Sequence, residues 1–317
     1  MTPIEGATSS DPLSTAASTP ASAPPVDPVK QRRTQFAYLA AALVGYLAFG
    51  IILPLIRIRP HSLNFFEGML AFFAPTLIFM FLQLWVPWCL VRIRQEFTSE
   101  IKEFVVCLAL WILLSYGFHA HRSDGLLVWL GTPALTNLML TIVLTLGGSM
   151  IAKMVREAKI LLPLGIVAGV IDIVGAMTPI GFTAHMVQSH PEVVQHASVQ
   201  VPAFAGLLVH TTIGAGDPLF IAFFFSVVHR HKLNTAATFP LVYALLTLSL
   251  LAVQFRLIAQ IGALAPLGLA VIIANWKYFK FSREEKFAML YAGLISIAAA
   301  VAFFLYTNAH VFKAAGP

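Results

Sequence analysis

Two aspartates carry the chemistry that this sequence can do. Asp172 and Asp217 stand inside long apolar runs, about 160–183 and 202–228, whereas most of the other acidic residues lie in the N-terminal tail or in polar connections and Glu67 sits at the edge of a run. An ionisable group at the middle of a membrane span costs at least ~2.5–3.5 kcal/mol, which marks function more often than packing. Counted along a helix, Asp172 is ~12 residues from one end of its run and Asp217 ~11 from the corresponding end of the next, roughly 18 and 16 Å. If the two runs are consecutive antiparallel helices, the carboxyls face each other at one level. Two such groups a few ångströms apart do not both ionise cheaply and share a proton, so one activates water while the other protonates a carbonyl oxygen. A proton- or ion-coupled transporter uses the same pair as a relay, and two packing hydrogen bonds to neighbouring helices are the structural alternative.

The residues around the second acid favour hydrolysis. Ile213-Gly214-Ala215-Gly216-Asp217-Pro218 places two glycines and a proline beside the carboxyl, which weakens the helix and removes side-chain bulk. Backbone exposed there could meet an unwound substrate strand, as cleavage of a peptide bond inside a membrane requires. A Gly-x-Gly in an apolar run otherwise serves close helix packing.

The elements that must position these acids follow from composition. Hydrophobic residues make up 58% of the 317, charged residues only 11%, roughly half the share in an average soluble domain. By the ~20-residue length needed to cross a bilayer, nine spans are expected, near 36–56, 66–91, 104–119, 126–152, 160–183, 202–228, 235–255, 258–276 and 286–308. The expected fold class is all-α, a polytopic bundle with no sheet. With the N terminus cytoplasmic, fifteen Lys and Arg fall on the inner side and five (Arg57, Arg59, Arg122, Arg256 and Lys313) on the outer, so this orientation is expected. Residues 1–34 are expected to be a disordered cytoplasmic tail, rich in Ser, Thr, Ala and Pro up to about residue 29. No basic n-region opens it, and the first apolar run, about 36–56, is long enough to span the bilayer, so it does not read as a secretory signal.

The net charge of +6 is spread in short clusters between apolar runs with no basic face, which argues against nucleic acid as a partner and for the lipid bilayer. Cys89 and Cys107 lack the spacing of a metal or disulfide framework. His119, His121, His185, His190 and His196 gather on the outer side without a ligand motif, so no metal and no cofactor are expected. His210, seven residues before Asp217 with Thr211 and Thr212 beside it, falls near the same helix face and either tunes the acid or is hydrogen-bonded in the bundle. Ser226 lacks a nucleophile signature.

Gly214-Ala215-Gly216-Asp217, continued to His229-Arg230-His231-Lys232, resembles the GxGD signature of the presenilin and signal-peptide-peptidase family of intramembrane aspartyl proteases, in a presenilin-like prokaryotic form. In that family an aspartate in the preceding span and a Pro-Ala-Leu motif two spans on complete the pattern; Asp172 and Ala265-Pro266-Leu267 stand in those places. The resemblance covers roughly 160–280. It implies that Asp172 and Asp217 are catalytic, that Gly214, Ala215, Gly216, Ala265, Pro266 and Leu267 bind substrate, and that the partner is a transmembrane peptide or protein. The expected organisation is then a four-helix membrane region over 35–159, the catalytic core over 160–280 and an additional C-terminal helix over 281–317. The chain departs from the family in having Ile171 where Tyr commonly precedes the first aspartate, and Ala-Pro-Leu for Pro-Ala-Leu. It also has one span fewer before the core and one more after it. With the N terminus inside, the topology is similar to that of signal peptide peptidase and implies type II substrates. A prepilin-type peptidase shares GxGD, but Pro218, Leu219 and Phe220 follow here in place of its lysine.

Overall fold

The computed structural model of the chain describes residues 28–59, 64–94, 100–120, 126–177, 197–205, 212–255, 262–279 and 281–314. Among them are nine α-helices and one short ribbon. The helices are α1 (Pro28–Ile52), α2 (Phe65–Arg94), α3 (Glu100–Ala120), α4 (Leu126–Ala152) and α5 (Leu161–Met177), then α6 (Gly216–Arg230), α7 (Thr235–Gln254), α8 (Leu264–Asn275) and α9 (Arg283–Ala314). Strands β1 (Ser198–Gln200) and β2 (Thr212–Gly214) lie between α5 and α6 and pair antiparallel, with Val199 opposite Ile213.

The chain is an all-α membrane protein. Four stretches among the described residues, Val29–Leu55, Phe66–Ile93, Pro133–Ala152 and Thr235–Val253, are long and apolar enough to cross a bilayer. Large apolar side chains stay exposed along α1, α3 and α9, among them Val44, Leu113 and Ile295, a surface that suits lipid and not water.

Two expectations are corrected. The run 202–228 is not one helix: α6 starts only at Gly216, its 15 residues measure about 22 Å, and Thr212–Gly214 just before it is strand β2 of the ribbon. The β-branched pairs Val199/Val201 and Thr212/Ile213 suit extended backbone, and Pro202 removes a helix donor. Helix α1 begins at Pro28, inside the segment 1–34 taken as a tail; proline suits a first helical position because its missing N–H has no partner there anyway. Residues 1–27 lie outside the described residues.

Helix α6 is the axis of the core. Ala222, Phe224, Phe225, Val227 and Val228 are fully buried, so α6 is apolar on all sides and enclosed. Trp88 of α2 touches Phe225 and His229 of α6 and Phe239 of α7, with ring centroids 4.9, 4.5 and 5.4 Å away. Against α4, the approach is closer still. A Cβ on Gly148 would stand 2.2 Å from the Leu219 carbonyl oxygen and 2.9 Å from the Phe223 nitrogen, so only glycine lets these backbones meet.

One end of the bundle is tied by polar caps. Arg230, at the end of α6, donates to the Lys153 carbonyl at 2.8 Å just past α4, and His231 meets the Val155 carbonyl at 3.3 Å. At the same end the fully buried Asn275, last residue of α8, accepts the Asn234 N–H at 2.8 Å and donates to Thr238 Oγ1 at 3.1 Å. Helix α8 is thereby anchored to the start of α7.

Candidate active site

Helix α8 begins with a problem that its sequence half solves. The first N–H groups of any helix lack intrahelical acceptors. In α8 these belong to Leu264 and Ala265, while Pro266 has no N–H and Leu267 already donates to the Ala263 carbonyl at 3.1 Å. Asp172 supplies the missing acceptor: its Oδ2 takes the Leu264 N–H at 2.7 Å, and the Ala265 N–H also turns to the carboxylate. A carboxylate at a helix N terminus meets the positive end of the helix dipole as well as the free donors.

The fit depends on a seam of small residues. On α5, Gly165, Gly169 and Asp172 follow at spacings of four and three and share one face. On α8 the facing residues are Ala265 and Gly268. A Cβ on Gly268 would meet the Gly165 carbonyl oxygen at 2.9 Å, and one on Gly169 would meet Ala265 Cα at 3.3 Å. Ahead of α8, a Cβ on Gly262 would fall 2.0 Å from Asp172 Oδ2, inside the carboxyl group itself. The glycines therefore draw α5 onto α8 and leave room for the acid.

Asp217 reaches the same place from another helix. Ala215 is the N-cap of α6, so Asp217 is in its first turn with Pro218 next, the same Ala-x-x-Pro opening that Ala263 and Pro266 give α8. Asp217 is half-buried as a residue and within electrostatic reach of Asp172. Two helix N termini thus converge on two carboxyls. Helix α8, which packs on both α5 and α6, brings the two acids within electrostatic reach of each other.

The GxGD backbone is open. Gly214 ends β2 and is exposed, and side-chain positions built at Gly214 and Gly216 meet nothing within 4 Å among the described residues. The inner neighbour β1 has its far side covered, because Gln200 exchanges two hydrogen bonds with the Asn137 side chain on α4. Since pairs in an antiparallel ladder alternate, Gln200 turned towards Asn137 leaves its counterparts on β2, Thr212 and then Gly214, with backbone N–H and C=O directed away from β1.

The sequence-predicted residues therefore divide as follows. Asp172 is seated at the start of α8, on the segment that holds Ala265 and Pro266, while Gly214, Ala215 and Gly216 lead into Asp217, which is within electrostatic reach of Asp172. Leu267 is buried against the core of the bundle and supports α8 from behind. His210 and Thr211 lie outside the described residues, as do His121, His185, His190, His196 and the His119 side chain. Sequence reasoning missed Gly165, Gly169, Gly262 and Gly268. The Gly-x-x-x-Gly at 165 and 169 in an apolar stretch was a signal for such a seam; Gly262 had none.

No family model, curated protein or solved structure matches this chain.

Proposed function

We propose that this protein is a multi-pass intramembrane aspartyl protease of the presenilin and signal-peptide-peptidase kind, cleaving transmembrane substrates with Asp172 and Asp217. The observation that carries this reading is the seating of Asp172 on the first N–H of α8, in the segment that holds Ala265-Pro266-Leu267, within electrostatic reach of Asp217. Packing alone does not require a second carboxyl at that point.

The chemistry uses one proton held by the pair. Asp172, fixed as an acceptor by Leu264, takes a proton from water as its oxygen attacks the scissile carbonyl carbon; Asp217 gives its proton to the carbonyl oxygen. When the diol collapses, the C–N bond breaks, Asp172 passes its proton to the leaving nitrogen and Asp217 recovers one from a diol hydroxyl. The pair ends with the single proton it began with. The substrate lies extended along the outer edge of β2, where Thr212 and Gly214 offer backbone groups beside Asp217, and the bare Gly214 and Gly216 leave room for its side chains.

All nine helices are read as crossing or entering the bilayer, with the N terminus cytoplasmic. Lys153, Arg230 and Lys232 lie at the bundle end where α4 and α6 finish, and the inner side is the one that collects such charge. This orientation gives type II substrates. The strand-to-helix break at Gly214–Asp217 also suits an ion- or proton-coupled transporter, whose sites form at interrupted helices. Purified protein in vesicles with a membrane-spanning reporter separates the two: the protease releases fragments and its Asp217→Asn variant does not, whereas a transporter releases none in any form.

A further inference from the structure

Helices α1, α2 and α4 bury a polar cluster that the reaction does not use. Tyr46 Oη donates to Gln83 Oε1 at 2.9 Å, and Gln83 Nε2 donates to Thr141 Oγ1 at 3.1 Å, all three side chains being buried. Thr141 Oγ1 also bonds to the Asn137 carbonyl one turn earlier, at 2.9 Å. Such a cluster contributes little net stability but fixes the rotation and depth of α4 against α1 and α2, because any slip leaves buried groups unpaired. What it fixes in place is the Asn137 side chain. Its Nδ2 donates to the Gln200 carbonyl at 2.9 Å and its Oδ1 accepts the Gln200 N–H at 3.2 Å. A side-chain amide bonded in both directions to one residue of a strand imitates the next strand of a sheet. An open strand edge invites pairing, and covering it prevents that.

We propose that Asn137 is a positioning residue: it closes the β1 edge of the ribbon, so that an extended apolar peptide can add only to β2, the edge that leads directly into Asp217. Val199, fully buried under α4, and Ala205, bonded to Ile56 and Ile58 after α1 at 3.1 and 2.9 Å, hold the ribbon to the same N-terminal helices. The N-terminal four-helix region thereby selects the productive edge. A peptide on β1 would lie one strand, about 4.8 Å, further from the acids, too far for attack. This inference rests on the strand-addition reading of the substrate site, and its test does not need cleavage.

The test is residue-resolved hydrogen exchange on the full chain in lipid nanodiscs, with and without a lysine-flanked poly-leucine/valine transmembrane peptide. In the wild type the Gln200 amide is expected to be protected without peptide, and added peptide slows exchange at Thr212 and Gly214 alone. In Asn137→Ala the Gln200 amide exchanges roughly tenfold faster, and peptide now protects it too; Asn137→Gln, with a longer reach, keeps partial protection. Gln200 exchange unmoved by Asn137→Ala, peptide protection of Gln200 in the wild type, or no peptide protection at either edge would each overturn the proposal. Fragment release by the wild type, measured on the same samples, judges the protease reading separately.

Discussion

The Leu264 amide and the Asp172 carboxylate meet at 2.7 Å although 92 residues separate them along the chain. One bond completes the N terminus of α8 and orients the acid on α5, so a change that disturbs either should be felt by both.

Gly262→Ala tests this directly. Its new Cβ would stand 2.0 Å from Asp172 Oδ2, so the carboxyl must leave the α8 N terminus. A displacement of about 1 Å at a reacting group costs on the order of a hundredfold in rate. Fragment release is expected to fall by that much, while Gly214→Ala, whose Cβ meets nothing among the described residues, leaves the thermal midpoint unchanged. Wild-type turnover in Gly262→Ala would show that Asp172 does not work from this seat.

The dyad predicts a bell-shaped dependence of cleavage on pH, because one proton must be held between two carboxyls. Asp172→Asn and Asp217→Asn should each lower the rate about a thousandfold or more, with the fold retained, since an amide oxygen at 172 still accepts the Leu264 N–H. Circular dichroism and single-turnover cleavage on the same samples check both halves. Release that survives both single substitutions rules the mechanism out.

Helix packing makes a prediction about stability alone. Gly148→Ala forces α4 away from the Leu219 carbonyl and is expected to cost ~1–3 kcal/mol. Gly293→Ala, in α9 with open space at its Cβ position, should stabilise by about 0.5–1 kcal/mol as a helix-interior glycine removed. Unfolding of the purified protein in mild detergent distinguishes them, and equal effects of the same sign would contradict the close α4–α6 contact.

The start of α9 should respond to pH. Lys159, ahead of α5, pairs with Glu157 at 2.8 Å and with Glu285, which also forms a capping box with Ser282. The Lys159 ammonium beside Glu285 holds its carboxyl below the usual range, and the Ser282 N–H adds to this; the Lys159 ammonium is in turn raised, by Glu157 first and Glu285 second. A depressed carboxyl stabilises above its unfolded value, about 4.3, and the contribution is lost as pH falls through the folded value. A raised ammonium stabilises below about 10.4 and is lost as pH rises through its folded value. Spin labels at residues 156 and 284 should therefore keep one distance between roughly pH 5 and pH 10 and separate below about pH 4 or in high salt. A distance that ignores both would show that packing alone holds α9.

The sequence by itself determined a great deal: long apolar runs with short connections favour a helical bundle, and an acid inside such a run is costly enough to stand out. The resemblance of Gly214-Ala215-Gly216-Asp217 to the GxGD signature then implied Asp172, Asp217 and Ala265-Pro266-Leu267 as one group. The run 202–228 misled because hydropathy measures transfer from water and is blind to backbone conformation, so an apolar strand and a helix look alike there. Tertiary structure alone decided that Asp172 caps α8, that Gly262 makes space for it, and that Asn137 covers Gln200. Each is a contact between segments far apart in sequence, set by how the helices that carry them rotate and pack, and no local periodicity encodes which glycine faces which backbone.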